Sequence, residues 1–285
     1  MDTKKLFFFW VGVKCAVLLI CFSFIGVSYV IGQIWLKPLA SISDVEDTID
    51  DELSGRFGQK FDINSYNEYG LTGLMHAIFR GRIDLFNLLL AKGASVNMLS
   101  RDGDNDTALH KAIIYGNSKF GFEYTDSGGQ KQKGFIPLLL EHGADIHVKN
   151  NRGNTPAHLF FWIDDYKKQK DVVNILLDHE DKPHIQDKVK TERAVKKRLM
   201  NMGEDSDEQS DRQHLLNIKN EHGDTLLHLI ASSVHAVLLE DLIKGPHAYK
   251  IDLSIKNREG FTPENIPGAN ANISDLFVEW KKSQR

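Results

Sequence analysis

The chain has twelve histidines, and their spacing bears on whether the sequence predicts a metal site. His142 and His147 lie five residues apart but form no zinc-ligand pattern. The run Asp102-Gly103-Asp104-Asn105-Asp106 begins like a calcium-binding loop of the EF-hand type. Thr107 then stands where that loop needs glycine, and Ile113 stands where it needs an acidic ligand. We therefore expect no metal ion, and a polar turn explains the acidic run.

Motifs for catalysis and for cofactor binding are also missing from the sequence. There is no G-x-S-x-G nucleophile motif and no G-x-x-x-x-G-K-[ST] phosphate-binding loop. Both cysteines, Cys15 and Cys21, lie near the N-terminus, so the rest of the chain offers neither a disulfide nor a thiolate ligand. We expect no catalytic residue and no cofactor, and an enzyme is the least favoured class of function.

The charge balance argues against a nucleic-acid-binding protein. The 285 residues carry 35 basic and 39 acidic side chains, which gives a formal net charge of −4. Nucleic-acid-binding proteins present a strongly basic face, and this chain has no such excess. Hydrophobic residues make up 41% of the sequence but are concentrated between Leu6 and Leu36, so the remainder is a modest soluble body.

Residues 15–36 carry no charge and predict a transmembrane helix. At 1.5 Å per residue, such a helix spans about 33 Å, enough for a bilayer core of about 30 Å. Lys4, Lys5 and Lys14 precede the run. The positive-inside rule therefore makes residues 1–14 a cytoplasmic tail of a single-pass membrane protein whose body is extracytoplasmic, or periplasmic in a bacterium. The alternatives are a cleaved signal peptide, a lipoprotein signal and a buried core helix.

Residues 37–60 predict a linker that contains a short N-terminal capping helix. Ile42, Val45, Ile49 and Leu53 recur at steps of three and four residues, so they would form one apolar stripe on a helix. A partly ordered acidic linker is the alternative.

Several segments of the remaining chain share one pattern, which indicates internal repeats. They are NEYGLTGLMHAIFRGRIDLFNLLLAKGASVN from Asn67, LLLEHGADIH from Leu138, NRGNTPAH from Asn151, EHGDTLLH from Glu221 and REGFTP from Arg258. These segments resemble the ankyrin repeat, whose signature is G-x-T-P-L-H-x-A, a second helix ending in L-L, and then G-A-x-x-N. The resemblance implies an all-α repeat solenoid with β-hairpin fingers, of a bacterial type, over residues 61–285. The repeats fall near 67–99, 102–149, 150–182 and 220–254, with a C-terminal cap at 257–285 and a charged insertion at 181–214.

The resemblance gives the recurring residues structural roles. Each threonine would cap a first helix, and the histidine of the motif would bond neighbouring backbone. Proline at the first helical position is preformed for that helix. These residues are Thr72, Thr107, Thr155, Thr225 and Thr262, then His110, His158 and His228, then Pro156 and Pro263.

Departures from the signature predict where the repeats are irregular. Phe160 stands where alanine usually allows close packing, so the third repeat should be splayed or repacked, and Glu180 replaces its closing glycine. The segment Tyr124 to Gly134 is rich in Gly, Ser, Lys and Gln, which predicts a flexible loop. The insertion at 181–214 is either a degenerate repeat or a disordered segment.

In ankyrin arrays the first helices and the finger tips form a concave recognition surface, and the resemblance carries this role onto matching positions here. An apolar and aromatic row on such a surface would mark an interface with a protein. The alternative is that the insertions fold over this row and make it part of the core. The helix positions are Phe79, Arg80, Lys111, Ile114, Tyr115, Leu159 and Trp162, and the weaker tip positions are Tyr66, Tyr69, Arg101 and Arg152.

Two functions fit these expectations, since fold alone does not give a partner. The first is a membrane-anchored scaffold that binds one protein partner and contacts the lipid bilayer through residues 15–36. The second is an immunity protein that neutralises a toxic secreted effector, for example a lipase acting in the periplasm.

Overall fold

The computed structural model describes residues 62–115, 121–126, 128–182, 214–232, 236–267 and 271–283. The predicted cytoplasmic tail, the predicted transmembrane helix at 15–36, the linker at 37–60 and most of the insertion at 181–214 lie outside these residues. Within the described ranges, no helix is both long enough and apolar enough to cross a membrane.

The chain divides into two compact units, and the smaller one contains the first repeat. This first unit includes Ser100–Asp102 and the chain up to Ser95. Its two helices are α1, Gly73–Phe79, and α2, Ile83–Ala91, which pack against each other. The Thr72 hydroxyl accepts a hydrogen bond from the Met75 N–H at 3.4 Å, so the predicted threonine cap is confirmed in this repeat.

The second unit, Val96–Leu99 with Gly103–Arg285, contains the remaining helices and one hairpin. Neighbouring helices bury apolar side chains against one another, as stacked repeats require. The elements are α3 (Ala108–Ile114), β1 (Glu123–Thr125), β2 (Lys131–Lys133), α4 (Phe135–Glu141), α5 (Tyr166–Glu180), α6 (Leu226–Ser232), α7 (Ala236–Lys244) and α8 (Ala271–Ser283). Between them lie the 3₁₀ helices Pro156–Trp162, Leu215–Asn217, Ala248–Lys250 and Pro263–Asn265.

The fingers of the second unit are joined by backbone hydrogen bonds. The Asn151 N–H donates to the Asp104 carbonyl at 2.9 Å, and the Glu221 N–H donates to the Arg152 carbonyl at 3.0 Å. Gly153 has a φ of 68°, and a Cβ atom there would lie 2.6 Å from the Glu221 nitrogen. A glycine is therefore needed at this position, both for its left-handed backbone and for the close approach of the next finger.

The second repeat forms the same finger turn with an asparagine at the position of this glycine. Two residues before its capping threonine stands Asn105, whose φ is 54°. Asparagine tolerates the left-handed region better than most residues, so it replaces glycine at modest cost. The acidic run around it is a finger turn, as the sequence analysis expected.

The insertion in the second repeat is not the flexible loop that its composition predicts. β1 and β2 pair as an antiparallel hairpin, with Tyr124 opposite Gln132. The Asp126 carboxylate accepts hydrogen bonds from the backbone N–H groups of Gly128 and Gln130, both at 2.9 Å. Gly129 supplies a positive φ in the same turn. The prediction failed because a Gly- and Asp-containing turn also nucleates a hairpin.

The third repeat is repacked, as Phe160 predicts. Its first helix is the 3₁₀ helix Pro156–Trp162 rather than an α-helix, and the Phe160 side chain is fully buried inside the unit. A 3₁₀ helix has three residues per turn, so it directs side chains differently from the α-helices of the other repeats. At the C-terminal end, α8 is the predicted capping helix, and it buries Ile273 and Phe277.

Candidate functional site

The motif histidines are hydrogen-bonded on both ring nitrogens, which accounts for them as structural residues. In each case Nδ1 accepts the backbone N–H of the capping threonine at 3.2 Å, and Nε2 therefore carries the proton. Nε2 donates to a carbonyl of the following repeat. His110 reaches Asn154 at 3.0 Å, His158 reaches Ile218 at 3.2 Å, and His228 reaches Phe261 at 3.0 Å.

Burial keeps these three imidazoles neutral. It lowers the pKa of His110 and of His228, and it lowers the pKa of His158 to about 4. A neutral imidazole with both nitrogens engaged has no lone pair for a metal and no position for a substrate. The motif histidines therefore link one repeat to the next.

Exposed aromatic side chains mark the first helices of two repeats. In the first unit, the Phe79 side chain is 50% exposed at the end of α1, and Arg80 follows it on the surface. In the second unit, Trp162 is 51% exposed, and its ring centroid lies 5.6 Å from that of Phe161, which is also exposed. Phe161 is absent from the predicted row, although three consecutive aromatic residues at 160–162 signal an aromatic patch.

Two of the predicted helix positions are buried, and their exposure was predicted wrongly. Lys111 is only 5% exposed because its Nζ lies 3.0 Å from the buried Asp106 carboxylate. Leu159 is 3% exposed within the 3₁₀ helix. The prediction of an exposed Leu159 assumed α-helical spacing, and a 3₁₀ helix directs its side chains differently. Ile114 and Tyr115 are half-buried, so they offer only part of their surface to a partner.

The predicted tip residues lie at the surface. Tyr69 is 59% exposed, and the Arg101 guanidinium lies 4.1 Å from the centroid of the Tyr66 ring, a cation–π geometry. In the second unit Arg152 is exposed and lies 3.7 Å from the Asp104 carboxylate. Their contact with a partner stays a prediction.

A second group of titratable side chains surrounds the two ends of the insertion at 181–214. We call it the neck cluster, and it consists of His147, Asp178, Glu180, Asp181, His214, His247 and Lys250. All of these residues belong to the second unit. The sequence gives little warning of the cluster, because its members come from four separate stretches of the chain.

Glu180 joins the two sides of the neck. Its Oε1 lies 2.9 Å from His147 Nε2, and its Oε2 lies 3.0 Å from His214 Nε2. It also accepts the backbone N–H of Leu215 at 3.1 Å. Burial would raise the pKa of Glu180, but the two histidines lower it to about 2. Burial would likewise lower the pKa of His147, whereas Asp145 and Glu180 raise it.

His247 lies at the other side of the neck, just before the 3₁₀ helix Ala248–Lys250. Its Nε2 is hydrogen-bonded to Asp178 Oδ1 at 3.2 Å, and its Nδ1 lies 3.0 Å from Asp181 Oδ2. Lys250 Nζ pairs with the other oxygen of the Asp181 carboxylate. Asp181 thus contacts a cation on one oxygen and an imidazole on the other.

The comparisons with known proteins agree with the repeat pattern. Residues 47–121 match a family model described as ankyrin repeats in three copies. The chain is 40% identical over 87 residues to the ankyrin repeat and KH domain-containing protein mask of Drosophila melanogaster. The matched segment covers 30% of this chain and 2% of that protein.

Two further relatives are similar over comparable lengths. YahD of Escherichia coli, which is named as an ankyrin repeat protein, is 32% identical over 100 residues, covering 35% of this chain and 44% of YahD. The rat transient receptor potential cation channel subfamily V member 5 is 29% identical over 108 residues, covering 38% of this chain and 14% of the channel. The match spans less than half the length of each of these relatives.

The stacked helices, the hydrogen-bonded fingers and the threonine–histidine links together define a helical-repeat protein. The family match makes this more specific, because residues 47–121 match ankyrin repeats and the fold is the ankyrin-repeat fold. Ankyrin repeats mediate protein–protein interaction.

Proposed function

We propose that the protein is a scaffold that binds a protein partner through the first-helix surfaces of its repeats, and that it does not act as an enzyme. The observation that carries this proposal is the exposed Phe161–Trp162 pair. Two adjacent aromatic rings in water are costly to leave uncovered, and aromatic residues dominate the binding energy of protein interfaces.

The surface of the first unit supports the same proposal independently. Phe79 is exposed beside Arg80, and an aromatic residue next to an arginine is a common composition for an interface centre. The finger residues Tyr69 and Arg101 would add polar and cation–π contacts at the rim. Lys111 and Leu159 have no part in the proposed surface, because both are buried.

Capture experiments with full-length variants test the surface. We expect the double change Phe161→Ala and Trp162→Ala to weaken partner capture at least about tenfold, and Phe79→Ala to weaken it by a smaller factor. Val237→Ala is the matched control, because Val237 is equally exposed and apolar but lies on the second helix of its repeat. Binding that survives the double change, or that falls equally with the control, would disprove the proposal.

The proposal includes a membrane anchor formed by residues 15–36. Its support is the uncharged run itself and the lysines that precede it. We expect the full-length protein to stay with membranes after alkaline extraction, and a reporter fused after Arg285 to be active only outside the cytoplasm. Release of the protein by alkali would contradict the anchor, and a cytoplasmic reporter signal would contradict the orientation.

A second candidate is an immunity protein whose partner is a toxic secreted effector such as a lipase. The predicted orientation favours it, because the repeats would then face the compartment where such an effector acts. Identification of the captured partner tests it. A secreted enzyme that loses activity in the complex would support this function, whereas a partner without toxic activity would leave only the general scaffold.

A further inference from the structure

Three side chains of the neck cluster converge in a way that the binding surface does not use. Asp181, His214 and His247 each offer one ligand atom, and these atoms lie within 4.8 Å of one another. Ligands around a tetrahedral zinc ion lie about 3.3 Å apart, so movements of less than about 1.5 Å would bring them into coordination. Side-chain rotations of that size need no change in the backbone.

Two histidine nitrogens of this group face carboxylate oxygens without an aligned hydrogen bond. Among the described residues, His214 Nε2 and His247 Nδ1 are buried and make no aligned hydrogen bond. Each lies 3.0 Å from a carboxylate oxygen, His214 from Glu180 and His247 from Asp181, yet out of line with it. The His247 residue is only 6% exposed. A buried imidazole nitrogen without an aligned hydrogen bond is costly, and such a nitrogen facing carboxylates is suited to a shared cation.

The surroundings of His247 resemble the outer shell of a metal site. Asp178 Oδ1 is hydrogen-bonded to Nε2 at 3.2 Å, which fixes the ring and leaves the lone pair on Nδ1. On the other ring, His214 Nδ1 accepts a hydrogen bond from the Leu216 N–H at 3.4 Å. That contact is long enough to be given up when Nδ1 carries the proton and Nε2 binds a metal.

The charge of the neck cluster also favours a divalent cation. Asp178, Glu180 and Asp181 are three carboxylates, and Lys250 is the one ammonium group of the cluster. Lys250 contacts one oxygen of Asp181, which leaves the other oxygen directed at His247. Two imidazole nitrogens and one carboxylate oxygen form a ligand set that suits zinc and its neighbours in the first transition series better than calcium or magnesium.

We propose that Asp181, His214 and His247 bind a divalent transition-metal ion of the zinc type. Asp181 and His214 lie at the two ends of the segment 182–213, and His247 lies after α7. The ion therefore clips the ends of the insertion to the following repeat. This clip stabilises the folded chain as other structural metal sites do, because the ligands meet only in the folded state.

Titration of full-length, tag-free protein with zinc chloride after treatment with a chelator tests the site. We expect calorimetry to give one ion per chain with a dissociation constant of about 1 μM or tighter, and zinc to raise the midpoint of thermal unfolding. Cobalt(II) in place of zinc should give visible absorption bands typical of a tetrahedral or five-coordinate ion. Loss of a ligand in His214→Ala or His247→Ala should weaken zinc binding well beyond about tenfold. Asp178→Asn removes only the group that fixes the His247 ring, so it should weaken zinc binding by about tenfold.

His222→Ala is the matched control, since His222 is exposed on a finger tip and should leave zinc binding unchanged. If His247→Ala loses its circular dichroism spectrum, Asp181→Asn and His214→Gln measure the same ligand loss. A cluster held only by protonated histidines would bind no zinc in stoichiometric amount, and that result would overturn the proposal. Equal affinities in the ligand variants and the control would overturn it as well.

Discussion

The second unit contains two sets of three histidines with opposite chemistry. His110, His158 and His228 use both ring nitrogens, and burial lowers their pKa values. In the neck cluster, each histidine instead leaves one buried nitrogen without an aligned hydrogen bond, and a carboxylate faces it. Histidine therefore has two roles in this unit. The motif histidines are neutral and connect one repeat to the next, whereas the neck histidines have a nitrogen that faces a carboxylate.

This contrast between the two sets of histidines shows where the fold leaves freedom for function. Backbone groups that the repeat itself supplies satisfy the motif histidines, so their positions follow from the fold. The neck histidines mainly face carboxylates of other side chains, which the fold does not dictate. A buried polar group that the repeat backbone does not hydrogen-bond is therefore a better guide to added function than a motif residue is.

Removal of a motif histidine should have the largest effect on stability. His158→Ala leaves the Thr155 N–H and the Ile218 carbonyl without partners inside the unit and opens a cavity beside them. We expect the free energy of unfolding to fall by about 3 kcal/mol in urea denaturation followed by circular dichroism. The exposed His222→Ala should change it by less than about 0.5 kcal/mol. Similar losses in both variants would show that the link between repeats is not what stabilises the stack.

The pH dependence of stability should separate His158 from His147 by sign. The folded-state pKa of His158 is about 4, below the unfolded value of about 6.5, so the unfolded chain binds a proton first as the pH falls. Its contribution is complete above pH 6.5 and is lost on acidification, by about 2 kcal/mol between pH 7 and pH 5. Comparison of wild type with His158→Gln at the two pH values measures this loss. A variant as acid-sensitive as the wild type would contradict the assignment.

Glu180→Gln should have a smaller effect and the opposite pH trend. Glu180 and Asp145 raise the pKa of His147, so this histidine stabilises the fold below its unfolded pKa and loses that effect as the pH rises through its folded pKa. We expect a loss of about 1 kcal/mol for the variant, larger at pH 6 than at pH 8. Urea denaturation at both pH values measures it. An equal loss at both would mean that the charge on His147 does not contribute.

The sequence predicted the local parts of the fold well. Each motif histidine follows its capping threonine by three residues, so one helical turn places both, and the pattern alone identifies them. Phe160 likewise predicted that the third repeat is repacked, because its bulky side chain occupies a position where ankyrin repeats usually have alanine. The outcome there was a 3₁₀ helix, which no propensity scale indicates for this segment.

The parts that the sequence did not predict depend on distant contacts. Lys111 was expected on the surface, and only the folded backbone shows that the Asp106 carboxylate is buried beneath it. The neck cluster joins His147, Glu180, His214 and His247 across an insertion, so their spacing along the chain carries no signal. The hairpin at 123–133 depends on backbone bonds to Asp126, and composition alone cannot distinguish such a turn from a loop.

The bonds between fingers have a consequence for how this chain tolerates changes in length. Each finger of the second unit is joined to the next by a backbone hydrogen bond, such as that from the Arg258 N–H to the His222 carbonyl at 2.9 Å. An extra residue inside a finger would shift that bond out of register. The strands β1 and β2 take no part in these bonds, so foreign sequence such as an epitope can be added to their hairpin while the spacing of the repeats is kept.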